Sequence, residues 1–322
     1  MYDTAIVGCG VVGERLAEAF AEHEETNLWG ACDLVESKAE AFAETYGCEA
    51  FTDYREMIRA DAVDVVYVGV PPASHRDVVA FALEHDRHVI CEKPLAENAD
   101  EGAAMVELAD ASDATTAVNL PFRYTPGFVE MRERIRDGEI GSPKRIELDF
   151  RFPQWPREWQ DVEWLTGREQ GGPLREVGTH FLFGVQEIFG PIDRVSAAVD
   201  YTAPEKYEES VVGYFEVDGL HGTIDLLCDH SSEEENAITV TGTESSLSLT
   251  EWYRLIENRG ETTEAVLNET RSQTTLALVD EFVAELDDDG GDLVSFAEAN
   301  RVQRVVDAVF ASDWTTQELA AE

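Results

Sequence analysis

One lysine is conspicuous because lysine is rare in this chain and because of its neighbours. The 322 residues include four lysines, which are Lys38, Lys93, Lys144 and Lys206. Lys93 lies between an acid and a proline in Glu92-Lys93-Pro94, directly after the apolar run 88–91. Pro94 favours an extended backbone at Lys93. An exposed ion pair with Glu92 is the simpler explanation, but the scarcity of lysine favours a chemical role for this ammonium group.

Three glycines near the start of the chain form a second chemical feature. The motif Gly8-Cys9-Gly10-Val11-Val12-Gly13 lies between an apolar run and a helical pattern. Glycines at this spacing allow a tight turn, close approach of a pyrophosphate and packing of a helix on a strand. The start of the helix offers free N–H groups to phosphates. The motif therefore predicts a dinucleotide-binding site.

Asp33 follows this motif by about 20 residues, at the end of the second apolar run, where a carboxylate can bind ribose hydroxyls. Its negative charge would repel a 2′-phosphate, which favours NAD over NADP. Asp33 could instead cap a helix or stabilise a turn. Ser37 and Lys38 stand nearby and could bind a phosphate, so NADP remains possible.

A histidine is the second candidate for acid–base chemistry. His180 lies in the apolar segment 177–183, where the residues alone favour a buried structural histidine. The alternative is a role in acid–base catalysis, because imidazole can accept or donate a proton near neutral pH. Glu176 precedes His180 by four residues, so an α-helix would place both on one face.

Composition limits the classes of function. The chain has 24 Lys+Arg and 67 Asp+Glu, a net charge of −43. The acids are scattered, which is typical of proteins from a salt-rich cytoplasm, where salt near 1 M screens charge within about 3 Å. This charge argues against nucleic-acid and membrane partners, which require basic patches. Five cysteines without a close pair predict neither disulfides nor a metal site, and no targeting or membrane-spanning run is present.

The positions of apolar residues predict a Rossmann-type doubly wound domain at residues 1–120, in which parallel strands alternate with helices. Strands are predicted at 4–7, 27–32, 63–68, 88–91 and 115–119. Helices are predicted at 14–23, 37–46, 54–59, 74–85 and 99–111, the last capped by Asn98. The carboxyl ends of such strands line a ligand crevice, so Pro71, Ser74 and His75 are expected there with Lys93.

Residues 121–322 predict an α+β domain with a large, mostly antiparallel sheet, which would bind substrate and mediate oligomerisation. Hairpin signals such as Asp218-Gly219 separate several of its strands. Strands are predicted at 145–152, 194–201, 210–216, 221–227, 237–241, 247–250 and 253–257. Helices are predicted at 127–136, from about 175, and at 275–286 and 296–310; the last two could pack back on the first domain.

Six segments that are weak singly become specific through their order along the chain. They are Gly8–Gly13, Pro71, Glu92-Lys93-Pro94, Asn119 with Arg123-Tyr124-Thr125-Pro126, residues 138–141 and residues 171–180. In this order they resemble the glucose-fructose oxidoreductase/inositol dehydrogenase family (Gfo/Idh/MocA) over nearly the whole chain. The resemblance implies an NAD(P)-dependent oxidoreductase acting on a secondary alcohol or ketone of a sugar, sugar acid or polyol.

The resemblance also implies roles for individual residues. Lys93 would bind the reacting oxygen, His180 would take the alcohol proton, and Glu176 would occupy a place where the family usually has aspartate. The implied cofactor-binding residues are Gly8, Gly10, Val11, Val12, Gly13, Asp33, Pro71, Ser74, His75, Glu92, Lys93 and Asn119. A homodimer or homotetramer is expected by the same analogy.

The sequence departs from the family pattern at Arg175, where the family usually has an apolar residue. A guanidinium suits a carboxylate or phosphate, and tryptophan faces suit the C–H side of a sugar ring, although Arg175 could equally pair with surface acids. The predicted substrate contacts are Arg123, Tyr124, Trp155, Trp164 and Arg175. Two alternatives stay open, which are a non-catalytic regulator that senses a dinucleotide or sugar and a non-redox enzyme with a tightly held cofactor.

Overall fold

The computed structural model describes residues 1–160, 162–268 and 272–319. The chain forms two compact units, one of Met1–Pro121 with Ser272–Asn300 and the other of Phe122–Arg271 with Arg301–Glu322, as far as these ranges are described. Within the described ranges, no helix combines the length and apolar character needed to cross a membrane.

The strands and helices follow the predicted order closely. The strands are β1 Tyr2–Val7, β2 Thr26–Cys32, β3 Glu49–Phe51, β4 Val65–Val68, β5 His88–Cys91, β6 Thr116–Val118, β7 Pro143–Phe152, β8 Arg194–Tyr201, β9 Glu208–Val217, β10 Leu220–Cys228, β11 Glu235–Gly242, β12 Ser246–Thr250, β13 Arg254–Arg259, β14 Thr262–Asn268 and β15 Gln317–Glu318. The helices are α1 Val11–Glu22, α2 Glu36–Tyr46, α3 Tyr54–Ile58, α4 His75–Leu83, α5 Ala99–Asp110, α6 Pro126–Arg136, α7 Thr179–Phe189, α8 Ser272–Leu286 and α9 Phe296–Ser312. Three short or peripheral strands, β3, β14 and β15, were missed by the sequence analysis.

The first unit contains, among the described residues, a sheet of six parallel strands in the order β3-β2-β1-β4-β5-β6. This is the predicted doubly wound arrangement, and its strand order reverses between β1 and β4, where such sheets bind ligands. Asn98 caps α5 as predicted, since its Oδ1 accepts a hydrogen bond from Glu101 N at 3.0 Å. Helix α8 also belongs to this unit and packs on α1.

The ends of five parallel strands lie in register at one edge of this sheet. Val7 pairs with Cys32 and Val68, Val68 pairs with Cys91, and Cys91 pairs with Val118. The next residue along each strand is Gly8, Asp33, Gly69, Glu92 or Asn119. The pairing therefore brings four of the predicted cofactor-binding residues to a single edge.

The second unit is built on a sheet whose described strands number nine, in the order β14-β13-β12-β11-β7-β10-β9-β8-β15. Neighbouring strands of this sheet pair antiparallel, except that β7 and β10 are parallel. β7 lies between β10 and β11. The sheet is therefore mostly antiparallel, as predicted. The buried face of β7 carries Ile146, Leu148, Phe150 and Phe152, and Phe150 packs edge-on against Phe181 of α7 with ring centroids 5.0 Å apart.

A fully buried carboxyl group supports the segment that leads into α7. Glu208, the first residue of β9, has no exposed surface, and its Oε1 accepts a hydrogen bond from Leu174 N at 2.7 Å. Gly172 has a φ of +95°, and a Cβ at this position would overlap Oε2 of Glu208. Burial raises the pKa of Glu208 to about 7, although its bond to Leu174 and the charges of Arg175 and Arg168 oppose the shift.

The buried carboxyl group predicts a pH dependence of folding. Its pKa is raised from 4.5 to about 7 in the folded chain, so folding favours the protonated form. The stability that this group contributes is therefore complete below its unfolded pKa and declines as pH rises through the folded value. Glu208→Gln keeps an acceptor for Leu174 N and cannot ionise. We expect the free energy of unfolding of the variant, relative to that of the wild type, to rise by up to about 3 kcal/mol between pH 4.5 and 8.

Urea unfolding of both proteins at several pH values and one fixed, high salt concentration measures this difference. Glu209→Gln, on the same strand with its side chain partly exposed, is the matched control and should follow the wild type. Parallel stability curves for Glu208→Gln and the wild type would show that Glu208 does not titrate in this range.

Candidate active site

The glycine motif has the shape that phosphate binding requires. Gly8 has a φ of +108°, and a Cβ there would overlap the carbonyl of Gly69. A Cβ at Gly13 would overlap the carbonyl of Gly8, so this glycine allows α1 to pack on the turn. A Cβ at Gly10 would meet no atom of the described chain within 4 Å, which leaves open space in front of the first N–H groups of α1. The turn therefore fits a pyrophosphate.

Asp33 is tied to this turn through its carboxylate. Oδ2 accepts a hydrogen bond from Cys9 N at 3.1 Å, and Oδ1 accepts one from Val35 N at 2.9 Å. Asp33 therefore stabilises the turn, which was one of the two interpretations of this residue. Each of its oxygens can still accept a hydrogen bond from a ribose hydroxyl. Burial, with the Asp33 charge as a smaller cause, raises the pKa of the Cys9 thiol to about 12, so Cys9 remains a protonated packing residue.

A cavity of about 270 Å³ opens at the end of β1 within the first unit. Five predicted cofactor-binding residues line it, which are Gly8, Gly10, Asp33, Pro71 and Ser74. Leu34, Tyr54 and Val78 line it as well and were missed, because no motif marks such apolar wall positions in a sequence. Apolar walls beside a carboxylate suit the adenine ring and ribose of a dinucleotide, so the residues present fit that cofactor.

His75 is buried beneath the crevice instead of facing it. Its side chain has no exposed surface; Nδ1 lies 3.1 Å from the carbonyl oxygen of Leu95 and Nε2 lies 2.8 Å from that of Val70. Burial lowers the pKa of His75, so the ring is neutral and one nitrogen at a time donates. The ring joins the loop after β4 to the segment after Lys93. These contacts favour a structural role over the cofactor contact predicted from sequence.

Glu92 is the centre of a buried hydrogen-bond network beside Lys93. Its Oε1 accepts hydrogen bonds from Tyr67 Oη at 2.6 Å and from Asn119 Nδ2 at 2.5 Å, and its Oε2 accepts one from Lys93 N at 3.2 Å. Burial raises the pKa of Glu92, while the Lys93 charge opposes the shift. Glu92 is only 7% exposed, so it is not the surface partner considered in the alternative interpretation. The network fixes the backbone from which the half-buried Lys93 side chain projects.

A wide helical turn carries the candidate residues of the second unit. Residues Leu174–Gly178 form one turn of π-helix, in which Thr179 N donates to Leu174 O, before α7 begins. The helix predicted from about residue 175 is present, but its first turn is wider than the α-helical turn assumed for Glu176 and His180. Single π-helical turns are frequent at functional sites. Glu176 is half-buried and its Oε1 accepts a hydrogen bond from Gln160 Nε2 at 3.2 Å.

His180 lies among aromatic side chains and is only 6% exposed. The ring centroid of Trp252 is 5.1 Å from that of His180 at an interplanar angle of 83°, and the centroid of Phe122 is 6.0 Å away. Trp252 belongs to the loop between β12 and β13. No signal in the sequence linked this tryptophan to His180, because only the fold brings the two segments together.

Two predicted substrate residues are engaged in packing within the second unit. Trp155 is 4% exposed, and its Nε1 donates to the carbonyl oxygen of Leu165 at 3.2 Å. Arg123 is 8% exposed and forms an ion pair with Glu187, with Nη2 2.8 Å from Oε2. These contacts favour structural roles for both residues.

Arg175 lies inside the second unit and is 9% exposed. Its Nη1 donates to the carbonyl oxygen of Arg168 at 2.8 Å, and its guanidinium lies 4.4 Å from the ring centroid of Phe310. This burial disfavours the alternative in which Arg175 pairs with surface acids. Trp164 is half-buried and Tyr124 is buried, and their substrate contacts remain predictions.

Three curated relatives of this chain are named as sugar or polyol enzymes. A dTDP-3,4-didehydro-2,6-dideoxy-alpha-D-glucose 3-reductase of Saccharopolyspora spinosa is 30% identical over 58% of this chain and 57% of its own length. A D-apiose dehydrogenase of Paraburkholderia graminis is 26% identical over 79% and 69%, and a scyllo-inositol 2-dehydrogenase (NADP(+)) of Bacillus subtilis is 26% identical over 60% of each. The match to the reductase thus spans little more than half of that protein.

Solved structures show the same fold along the whole chain. Levoglucosan dehydrogenase in complex with NADH has a TM-score of 0.89 at 18% identity and 99% coverage of both chains. An oxidoreductase from Thermotoga maritima has a TM-score of 0.86 at 23% identity and 98% coverage of both chains.

Two family models match the sequence in the order of the two sheets. Residues 2–120 match the Gfo/Idh/MocA oxidoreductase family model for the NAD-binding Rossmann fold. Residues 128–248 match the model for the Gfo/Idh/MocA C-terminal domain. Because both halves of one family pattern are present in sequence order, the chain belongs to the Gfo/Idh/MocA family of oxidoreductases and begins with its NAD-binding domain.

Proposed function

We propose that the protein transfers a hydride between a nicotinamide dinucleotide and a secondary alcohol or ketone of a sugar, sugar acid or polyol. The observation that carries the proposal is the buried Glu92 network, which fixes Lys93 at the same sheet edge as the glycine turn and Asp33. The similar reductase, apiose dehydrogenase and inositol dehydrogenase support this substrate class.

Oxidation of an alcohol removes a hydride from carbon and a proton from oxygen. Bound NAD supplies the hydride acceptor. In the proposed mechanism an imidazole nitrogen of His180 takes the proton, and the Lys93 ammonium donates a hydrogen bond to the oxygen as negative charge develops there. The carboxylate of Glu176, held by Gln160, accepts a hydrogen bond from a substrate hydroxyl. Reduction of a ketone uses the same groups in reverse, and His180 then returns the proton.

A regulator that only senses a dinucleotide or sugar would need neither a proton acceptor nor a fixed ammonium group. The hydrogen bond that the Lys93 backbone N–H donates to Glu92 Oε2 therefore favours the enzyme. The homodimer or homotetramer predicted by analogy remains a prediction, and light scattering at high salt measures the number of subunits.

The acid–base role of His180 predicts a loss of turnover without a loss of cofactor. In a panel of sugars, sugar acids and inositols assayed with NAD and NADP at molar salt, His180→Ala should lower kcat at least about 100-fold, as removal of an acid–base group usually does. Its affinity for NAD, measured by calorimetry, should match the wild type because His180 lies in the other unit from the dinucleotide cavity.

His221→Ala is the matched control, since this histidine lies on β10 with 65% of its side chain exposed. It should retain full turnover. Wild-type turnover in His180→Ala, on a substrate that the wild type oxidises, would overturn the assigned role.

The position of Asp33 predicts a preference for NAD over NADP. Asp33→Asn preserves the side-chain shape and removes the charge that would face a 2′-phosphate, with the loss of one of the two backbone hydrogen bonds that Asp33 accepts. Hydrogen bonds to charged groups contribute about 1.5–3 kcal/mol, so we expect the ratio of NADP to NAD affinity to rise at least about tenfold. Fluorescence titration with both reduced cofactors measures this ratio.

Glu36→Gln provides the control for net charge, because Glu36 is exposed in the first turn of α2 and is absent from the cavity wall. It should leave the ratio unchanged. An unaltered ratio in Asp33→Asn would show that another group selects the cofactor.

A further inference from the structure

The loop between β12 and β13 adopts an unusual backbone conformation. Glu251 has a φ of +52° and Trp252 a φ of +70°, and both values lie in the left-handed region. Glycine, asparagine and aspartate favour this region, whereas a bulky residue in it is an outlier. Each such residue strains the backbone and persists only where surrounding contacts hold it. Two in succession indicate that the loop is held by its surroundings.

Contacts on several sides hold this loop. The backbone N–H of Glu251 donates to the carbonyl oxygen of Asn236 on β11 at 3.2 Å. Gly127, in the first turn of α6, lies close to the loop, since a Cβ at this glycine would lie 3.4 Å from the carbonyl oxygen of Tyr253. The strained backbone therefore sits between a strand and a helix, and it directs the half-buried Trp252 inward.

The indole of Trp252 packs on three rings of the second unit. Its centroid lies 5.1 Å from His180, 5.4 Å from Phe181 and 6.0 Å from Phe122. The angle of 83° to His180 is an edge-to-face arrangement, which is favoured by the ring quadrupoles and fixes the relative orientation of the two planes. Phe122 lies 6.0 Å from His180 at 45°. The imidazole therefore packs against Trp252 from the loop between β12 and β13 and against Phe122 from the turn before α6.

We propose that Trp252 is a positioning residue for His180, which fixes the plane of the imidazole so that its nitrogen points at the alcohol proton. The inference rests on the proposed function of His180. A reaction that needs aligned atoms loses rate steeply when a catalytic group is free to rotate. The left-handed backbone at Glu251 and Trp252 fits this role, because surrounding contacts hold the loop that carries the indole.

The test compares Trp252→Ala and Trp252→Phe with a control in the same core. Trp252→Ala should lower kcat about 10- to 100-fold while the KM for the alcohol and the affinity for NAD stay within about threefold. Trp252→Phe should restore most of kcat because it keeps an aromatic face. Phe215→Leu, which shortens a fully buried ring on β9, should lose stability and keep kcat.

A readout independent of turnover is the NMR spectrum of protein with ¹³C-labelled histidine. The His180 resonance, assigned by its loss in His180→Gln, should shift in both Trp252 variants because the indole ring current is removed or reduced. An unshifted resonance, unchanged kcat in Trp252→Ala, or an equal loss of kcat in Phe215→Leu would each overturn the proposal. If His180→Ala retains turnover while the resonance still shifts, the proposed function fails and the contact stands.

Discussion

The buried carboxylate of Glu92 is the interaction on which the candidate site depends. Burial of an ionisable group is costly unless hydrogen bonds replace water, and here Tyr67, Asn119 and the Lys93 N–H provide them. These partners come from β4 and from the segments after β5 and β6, so one carboxyl group links three neighbouring strand ends. His75 adds a parallel link between the carbonyls of Val70 and Leu95. The backbone position of Lys93 is therefore set by buried polar groups.

The arginines of the second unit show how an acid-rich chain uses its few cations. The Glu187 carboxylate forms ion pairs with Arg123 at 2.8 Å and with Arg132 at 2.9 Å. The side chains of all three residues are less than 15% exposed. Breaking such a buried pair would leave an uncompensated charge, which is strongly unfavourable. Arg175 is likewise committed to carbonyl oxygens and to the face of Phe310. For Arg123 and Arg175, two of the predicted substrate contacts, these interactions favour packing roles inside the second unit.

Sequence reasoning succeeded where structure depends on neighbours in the chain. The parallel strands, the glycine turn and the Asn98 cap follow from local spacing and local hydrogen bonds. The three-residue β3 has no periodic pattern to detect, and only pairing with β2 defines it. The inward orientation of His75 and the contact of Trp252 with His180 depend on tertiary packing, which neither residue type nor spacing encodes. Residue spacing therefore predicted the elements of the fold more reliably than the orientation of individual side chains.

Hydrogen bonds with nearby side chains support the π-helical turn Leu174–Gly178, which precedes His180. Such turns are rare and occur mostly as single turns inside α-helices, frequently at functional sites. Glu208 binds the N–H of Leu174, and Thr179 Oγ1 donates to the carbonyl oxygen of Arg175 at 2.8 Å. Glu176 lies in the middle of this turn. The resemblance of the chain to the family predicts an aspartate, which is shorter, at this position. A wider turn and a longer side chain both move the carboxylate, and the hydrogen bond from Gln160 Nε2 is one contact that holds it in place.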